Sequence, residues 1–334
     1  MNRKKNIALV AGGDSGEQVI SMKSAATISK NLDTGLFNVF LVVITGTKWV
    51  YVDQSGTEHR VDRNDFSVEI DGKRIIFDCA YITIHGTPGE DGKIQGYFDL
   101  LRIPYSTAGQ LQCALTFNKF FCNWLVSSWG VNVAKSIKLK KGHLPSVPEI
   151  LLQVNLPVFV KPNKGGSSLG TSLVKDLNKL LPAIDLCLEY DDEALVEEMI
   201  EGVEFTCGVF RSGGKARALP VTELVSKTEA GFFDYEAKYT HGACDEITPA
   251  RLSRSKTIEI QELSGFLYEK LDLKGITRFD FIVNEQKITF LEVNITPGMS
   301  DRSIVPQQAQ VAGIRLSDLF TEIINDAIAS KLNS

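Results

Sequence analysis

Apolar residues in the first third of the chain fall into short runs separated by turn-forming residues. Residues 6–11 make one such run, a Gly/Asp/Ser turn follows, and Val19, Met22, Ala25, Ile28 and Leu32 then recur at helical spacing. Residues 39–44 and 79–84 have the same buried-strand texture, so the segment predicts a β/α unit around a mostly parallel sheet. Between them, residues 48–77 alternate in short polar pieces with Gly56 and Gly72 at turns, which predicts a small antiparallel excursion.

Residues 109–130 repeat at helical spacing through Ala114, Leu115, Phe117, Phe120, Phe121, Trp124 and Leu125, and predict one helix with its aromatic side chains in the core. From Leu156 the texture changes to hairpins, with a helix at 177–188, so the centre predicts a small α+β unit. Strand pairs follow at 204–210, 279–283 and 288–293. The segment 317–332 then places Leu319, Phe320, Ile323, Ile324, Ala327 and Ile328 on one helical stripe.

A length of 334 residues allows two or three domains. With 41 acidic and 36 basic side chains the net charge is −5, and no long basic run suggests a nucleic-acid or anionic-membrane partner. The apolar run at residues 7–11 is too short for a signal peptide and no stretch has the length of a membrane span, so a cytoplasmic protein is expected. The six cysteines contain no CxxC and sit mostly among apolar residues, which suits reduced thiols, and the four histidines have no zinc spacing.

Chemistry concentrates in a few segments. A hairpin joining Arg278-Phe-Asp280 to Glu292-Val-Asn294 would put Glu292 and Asn294 on one face, with Asp280 nearly opposite Glu292. Two carboxylates and an amide are hard donors suited to magnesium, and Arg278 could serve a phosphoryl group or an oxyanion; the alternative is a solvated strand face. The loop from Lys161 to Gly170 (KPNKGGSSLG) could bring backbone N–H groups and the hydroxyls of Ser167 and Ser168 to a phosphate, although it lacks the Walker A pattern and could be only a hairpin tip. His85 opens HGTPGEDG at a strand's carboxyl end, where ligands bind in open α/β sheets, or it stabilises a turn. Glu17 could cap the first helix or receive an ammonium group. The polar-aromatic stretch 232–250 has the character of a lid that brings Lys238 and Tyr239 over phosphates.

In this order the segments resemble the D-alanine–D-alanine ligase family of the ATP-grasp superfamily. The likeness runs through HGTPGEDGKIQG at 85–96, KPNKGGSSLG, FDYEAKY at 233–239, RFDF at 278–281 and EVNITPGM at 292–299. It implies an ATP-grasp fold, mixed α/β and α+β, behind an N-terminal Rossmann-like α/β domain, with domains at 1–109, 110–198 and 199–334. It also implies phosphorylation of one D-alanine by ATP and attack by a second, for peptidoglycan precursors. By the same resemblance Asp280, Glu292 and Asn294 hold two Mg²⁺ ions, for which Mn²⁺ can substitute. Lys119, Lys161, Ser167, Ser168 and Lys238 meet ATP phosphates, while Glu197, Glu198, Ile200 and Glu204 meet the adenosine. Arg278 and the Gly298 N–H steady the oxyanion. Glu17 and His85 attend the first D-alanine, with Ser167 and Tyr239 closing the pocket through Glu17, and Ser303 meets the second carboxylate. A homodimer is implied, without nucleic-acid or membrane partners.

Three positions depart from the family's usual pattern: Cys113 replaces Ser, Asn118 replaces Asp, and Ile295 replaces Thr. Tyr239, commonly Phe in ester-forming relatives, favours an amide product. Competing readings are a related carboxylate–amine or ester-forming ligase, a nicotinamide dehydrogenase on the half-matched glycine turn at 12–16, and a non-catalytic nucleotide-binding regulator. The full metal and oxyanion set argues against the last.

Overall fold

The apolar run near the start forms β1 (Lys5–Gly12), in a computed structural model that describes residues 3–166, 169–227, 244–285 and 287–332. Ile7, Ala8, Leu9, Val10 and Ala11 have no solvent exposure, because both faces of a central parallel strand are covered. The chain continues through α1 (Gln18–Asn31) and β2 (Phe37–Thr45). The excursion follows as β3 (Lys48–Val52), β4 (Glu58–Asp62), β5 (Ser67–Ile70) and β6 (Lys73–Ile75), before β7 (Cys79–Ile82) and α2 (Lys93–Leu100). The strands form one sheet in the order β6-β5-β4-β3-β2-β1-β7. β1 is parallel to β2 and β7, and the excursion is antiparallel, as its alternating pattern predicts.

The segment 109–130 departs from the sequence expectation. It forms two helices, α3 (Gln110–Phe117) and α4 (Lys119–Ser128), with Asn118 extended between them at φ −89° and ψ 98°. The Asn118 Oδ1 accepts the Phe121 N–H at 3.1 Å, so a side chain that competes for backbone donors ends one helix and caps the next. The aromatic residues are not all core either: Phe121 and Trp124 are exposed, Trp124 by 67%. The Lys138 ammonium instead sits 4.7 Å from the Phe121 ring centre.

The centre contains β8 (Asn132–Val133), β9 (Ser136–Lys140), α5 (Val147–Leu151), β10 (Val158–Pro162), β11 (Ser172–Val174), α6 (Leu180–Cys187) and β12 (Glu193–Glu198). An antiparallel sheet in the order β11-β10-β12-β9 buries Val158, Val160 and Val196 against Leu180 and Ile184 of α6. The last part comprises β13 (Val203–Ser212), β14 (Lys215–Ala218), β15 (Thr222–Ser226), β16 (Cys244–Ile247), α7 (Arg254–Lys270), β17 (Ile276–Val283), β18 (Ile288–Asn294), α8 (Ile304–Val311) and α9 (Leu316–Leu332). Its sheet runs β16-β15-β13-β17-β18-β8, with β14 beside β13.

The predicted stripe on α9 is buried, but its partners come from both ends of the chain. Leu319, Phe320, Ile323 and Ile324 share a core with Ile7, Leu9, Ala25 and Ile28 of the first unit and with Phe210 of β13. All six cysteines are free and five are buried, as expected of reduced thiols. No helix among the described residues is long and apolar enough to cross a membrane.

Candidate active site

A cleft of about 1210 Å³ lies between turns that follow strands of the first sheet and residues of the second and third sheets. Glu17, in the turn between β1 and α1, lies on one wall; Lys161 and Gly166 lie on a second; Glu204 and Glu292 lie on a third.

At one end the glycine loop and the start of α4 form a single unit. Asn163 is fully buried and uses both ends of its amide: Oδ1 accepts the Phe120 N–H at 2.9 Å and Nδ2 donates to Glu193 at 2.8 Å. Its carbonyl accepts the Lys119 N–H at 3.0 Å. The Lys119 ammonium consequently reaches the Gly165 carbonyl at 2.5 Å and lies 3.9 Å from the Glu292 carboxylate. Lys161 pairs with Glu197 at 2.8 Å. Burial opposes the Lys161 charge, but the Glu197 carboxylate outweighs it and leaves the ammonium above the ordinary lysine value.

At the other end the β17–β18 hairpin sets Asp280 directly opposite Glu292, with a register shift just after Asp280. Arg278 grips Asp280 with paired bonds of 2.9 and 2.8 Å, and the Asn294 amide donates to the same carboxylate at 2.9 Å. Burial disfavours the Arg278 charge, but Asp280 and Glu292 hold its pKa above the ordinary value. No group of three His, Cys, Asp or Glu suited to a metal occurs among the described residues. Two carboxylates and an amide oxygen remain as a hard-donor set, which fits magnesium and not a soft metal.

Across from the hairpin, His85 is buried beside Glu17 and Arg278. Burial lowers its pKa, the Glu17 charge opposes that shift, and its Nε2 is buried without a hydrogen-bond partner among the described residues. Glu90, partly buried, accepts the Gly86 N–H at 2.8 Å and the Thr296 N–H at 3.3 Å. Burial above all, with the charges of Glu17 and Glu292, raises its pKa to about 8.

Two family models match, described as D-ala D-ala ligase N-terminus over residues 6–108 and D-ala D-ala ligase C-terminus over residues 125–325. The chain belongs to the D-alanine–D-alanine ligase family. It is 44% identical over 324 residues to the D-alanine–D-alanine ligase of Bacteroides fragilis, covering 97% of this chain and 99% of that one. Its fold, the ATP-grasp fold with an N-terminal α/β unit, matches the D-alanine–D-alanine ligase of Coxiella burnetii with a TM-score of 0.87 at 26% identity, over 99% of this chain and 96% of that one. A D-Ala:D-Ser ligase from Enterococcus faecalis is also similar, with a TM-score of 0.86 at 30% identity over 97% and 99% of the two chains.

Of the residues that the family resemblance singles out, Glu17, Lys119, Lys161, Glu197, Glu198, Ile200, Glu204 and Glu292 line the cleft. Arg278, Asp280 and Asn294 are joined to one another beside Glu292. Ser303 stands at the start of α8, 2.8 Å from the Ser300 hydroxyl, and a Cβ on Gly298 would come within 2.9 Å of the Ser303 Oγ. Ser167, Ser168, Lys238 and Tyr239 lie outside the described residues. The Glu198 carboxylate turns to Asn155, accepting its backbone and side-chain N–H groups at 2.9 Å each. Glu17 is the residue at the N-cap of α1 and makes no side-chain capping bond there.

The three departures from the family pattern are accommodated locally. Cys113 is buried and its thiol donates to the Ala108 carbonyl at 3.2 Å, Asn118 caps α4, and Ile295 is buried in the core of the third sheet. Sequence reasoning missed Glu90 and Asn163. For Glu90 the available signal is an acid following a glycine at a strand end; for Asn163 it is an amide in an otherwise Gly/Lys loop.

Proposed function

We propose that this chain joins two D-alanine molecules into D-alanyl-D-alanine for peptidoglycan precursors, with conversion of ATP to ADP and phosphate through an acyl phosphate. The observation that carries this reading is the convergence of Glu17, the Lys119 and Lys161 ammonium groups, and the Asp280–Glu292 pair on one cleft and its edge.

A carboxylate resists an amine because its leaving group would be oxide. One carboxylate oxygen of the first D-alanine, whose ammonium Glu17 receives with His85 nearby, attacks the γ-phosphorus, and ADP departs. The chain's part is alignment and charge neutralisation, from Lys119, Lys161 and Lys238 on the phosphates with Ser167 and Ser168 in the glycine loop. Glu197, Glu198, Ile200 and Glu204 would seat the adenosine, Glu198 through its place in the wall because its carboxylate is committed to Asn155. Asp280, Glu292 and Asn294 would hold two Mg²⁺ or Mn²⁺ ions, which when bound would supply positive charge to offset that of the phosphates.

The ammonium of the second D-alanine, its carboxylate held by Ser303, gives one proton to a phosphate oxygen, and the resulting amine attacks the acyl carbon and releases its second proton to the departing phosphate. Arg278 and the Gly298 N–H stabilise the tetrahedral oxyanion until phosphate leaves and the amide remains. Tyr239 and Ser167, acting with Glu17, would close the pocket.

The division at 109 and 198 belongs to the same proposal, supported by a separate sheet in each part, although β8 joins the third sheet and α9 packs on the first. So do a homodimer and a cytoplasmic location. A second reading, D-serine as the acceptor, is favoured only by the likeness to the E. faecalis enzyme.

The test is product identification from ATP, Mg²⁺ and D-alanine, with D-serine and D-lactate as competing acceptors and EDTA as a control. D-Alanyl-D-alanine should dominate and vanish with EDTA. A mixed product formed preferentially, or ADP release without dipeptide, overturns the proposal.

A further inference from the structure

The turn from Thr296 to Met299 belongs to the third sheet by sequence, yet its anchors come from the first unit. At its start, the Thr296 N–H donates to Glu90 at 3.3 Å. At its end, the Met299 N–H donates to the Ser24 hydroxyl of α1 at 3.0 Å. Gly298 lies between these two attachments. Glu90 is fixed in turn, since its other oxygen accepts the Gly86 N–H at 2.8 Å. The loop that presents Glu90 is itself tightly turned: any Cβ on Gly89 would collide with the Ile84 carbonyl, so the acid is delivered from a close return of chain onto the end of β7. Ser24 is buried, and nothing about α1 alone requires a hydroxyl there.

Backbone donors buried near a substrate need partners. Here the partners are side chains from the wall that also carries Glu17, separated by 206 and 275 residues from the amides they hold. We propose that Glu90 and Ser24 are positioning residues, which grip the two ends of the Thr296–Met299 turn from the N-terminal unit and thereby fix the Gly298 N–H relative to the carboxylate bound beside Glu17. This rests on the reading of Gly298 as an oxyanion donor. Neither side chain touches the reacting atoms; each acts through the turn. The two substrate-facing walls are thus registered by hydrogen bonds to backbone amides. A displacement of about 1 Å in such a donor can reduce turnover roughly a hundredfold.

The experiment compares Glu90→Met, Glu90→Gln and Ser24→Ala with the wild-type enzyme in steady-state dipeptide synthesis, with nucleotide binding measured separately by equilibrium dialysis. Glu90→Met, which has similar length but no acceptor, should lower kcat by about tenfold to a hundredfold while the ATP affinity stays within about threefold. Glu90→Gln keeps one acceptor oxygen and should recover a large part of that loss. Ser24→Ala should lower kcat by a smaller factor, again without changing ATP affinity.

Wild-type kcat in both Glu90→Met and Ser24→Ala, or equal loss of turnover and nucleotide affinity, overturns the proposal. So does a Glu90→Gln variant no better than Glu90→Met. Should the Glu90 variants not fold, hydrogen exchange of the Thr296 and Met299 amides in the wild-type protein decides: rapid exchange at both overturns it and protection at both supports it. If the wild-type enzyme makes no dipeptide, the functional reading fails, and the exchange measurement still reports on the grip itself.

Discussion

Replacing Lys161 with Met should damage stability and nucleotide binding by separable routes. The Lys161 ammonium and the Glu197 carboxylate are 2.8 Å apart, with side-chain exposures of only 12% and 4%. At 2.8 Å and an effective dielectric constant of about 20, Coulomb's law gives an attraction of roughly 6 kcal/mol, against which both desolvation costs stand. Removing one member leaves the other charge buried, which typically costs about 3–5 kcal/mol. The Asn123 amide, at 3.4 Å from Glu197, is too distant to offset that loss. Lys161→Met should therefore be destabilised by at least about 3 kcal/mol. Lys161→Met/Glu197→Leu, which removes both charges, should regain most of the stability but none of the ATP affinity. Urea titration followed by circular dichroism gives the first quantity and equilibrium dialysis with ATP the second. A single variant that unfolds at the wild-type urea midpoint, or a double variant no more stable than the single, would refute the reasoning.

Three further outcomes follow from local chemistry. Asn118→Ala should cost about 1 kcal/mol by uncapping α4, while Asn118→Asp should retain the cap and gain from its charge at the helix N-terminus, both read from urea midpoints. Phe320→Ala should cost about 3–5 kcal/mol because it opens a cavity in the core shared by the first and third sheets, whereas Trp124→Ala, on the exposed face of α4, should change stability little. Glu90 holds its proton to about pH 8 in the folded protein, against 4.5 in the unfolded chain, so its contribution is fully present below 4.5 and is lost as pH rises through about 8. The stability of Glu90→Gln should therefore fall less than that of the wild type between those limits; parallel pH profiles would contradict the assignment.

Where a pattern repeats locally, the sequence was sufficient. The continuous run of β1, the alternating excursion β3–β6, the β17–β18 hairpin and the stripe on α9 all carry their burial in their own periodicity. The opposition of Asp280 and Glu292 was legible for the same reason, since a hairpin's register follows from its turn. Asn118 was not legible as a boundary, because apolar spacing continues on both sides and only its bond to the Phe121 N–H reveals two helices. Trp124 read as core because its periodicity identifies a face without saying what covers it. The Glu198–Asn155 and Glu90–Thr296 contacts escaped for a different reason: the partners lie 43 and 206 residues apart, and no local pattern encodes such contacts.

The placement of α9 has a consequence for biosynthesis. Strand β1 leaves the ribosome well before the helix that shares its core. Until that helix emerges, Ile7, Leu9 and Ile28 lack Phe320 and Ile323 as neighbours, and the nascent chain must keep that oily surface wet or shielded by a chaperone.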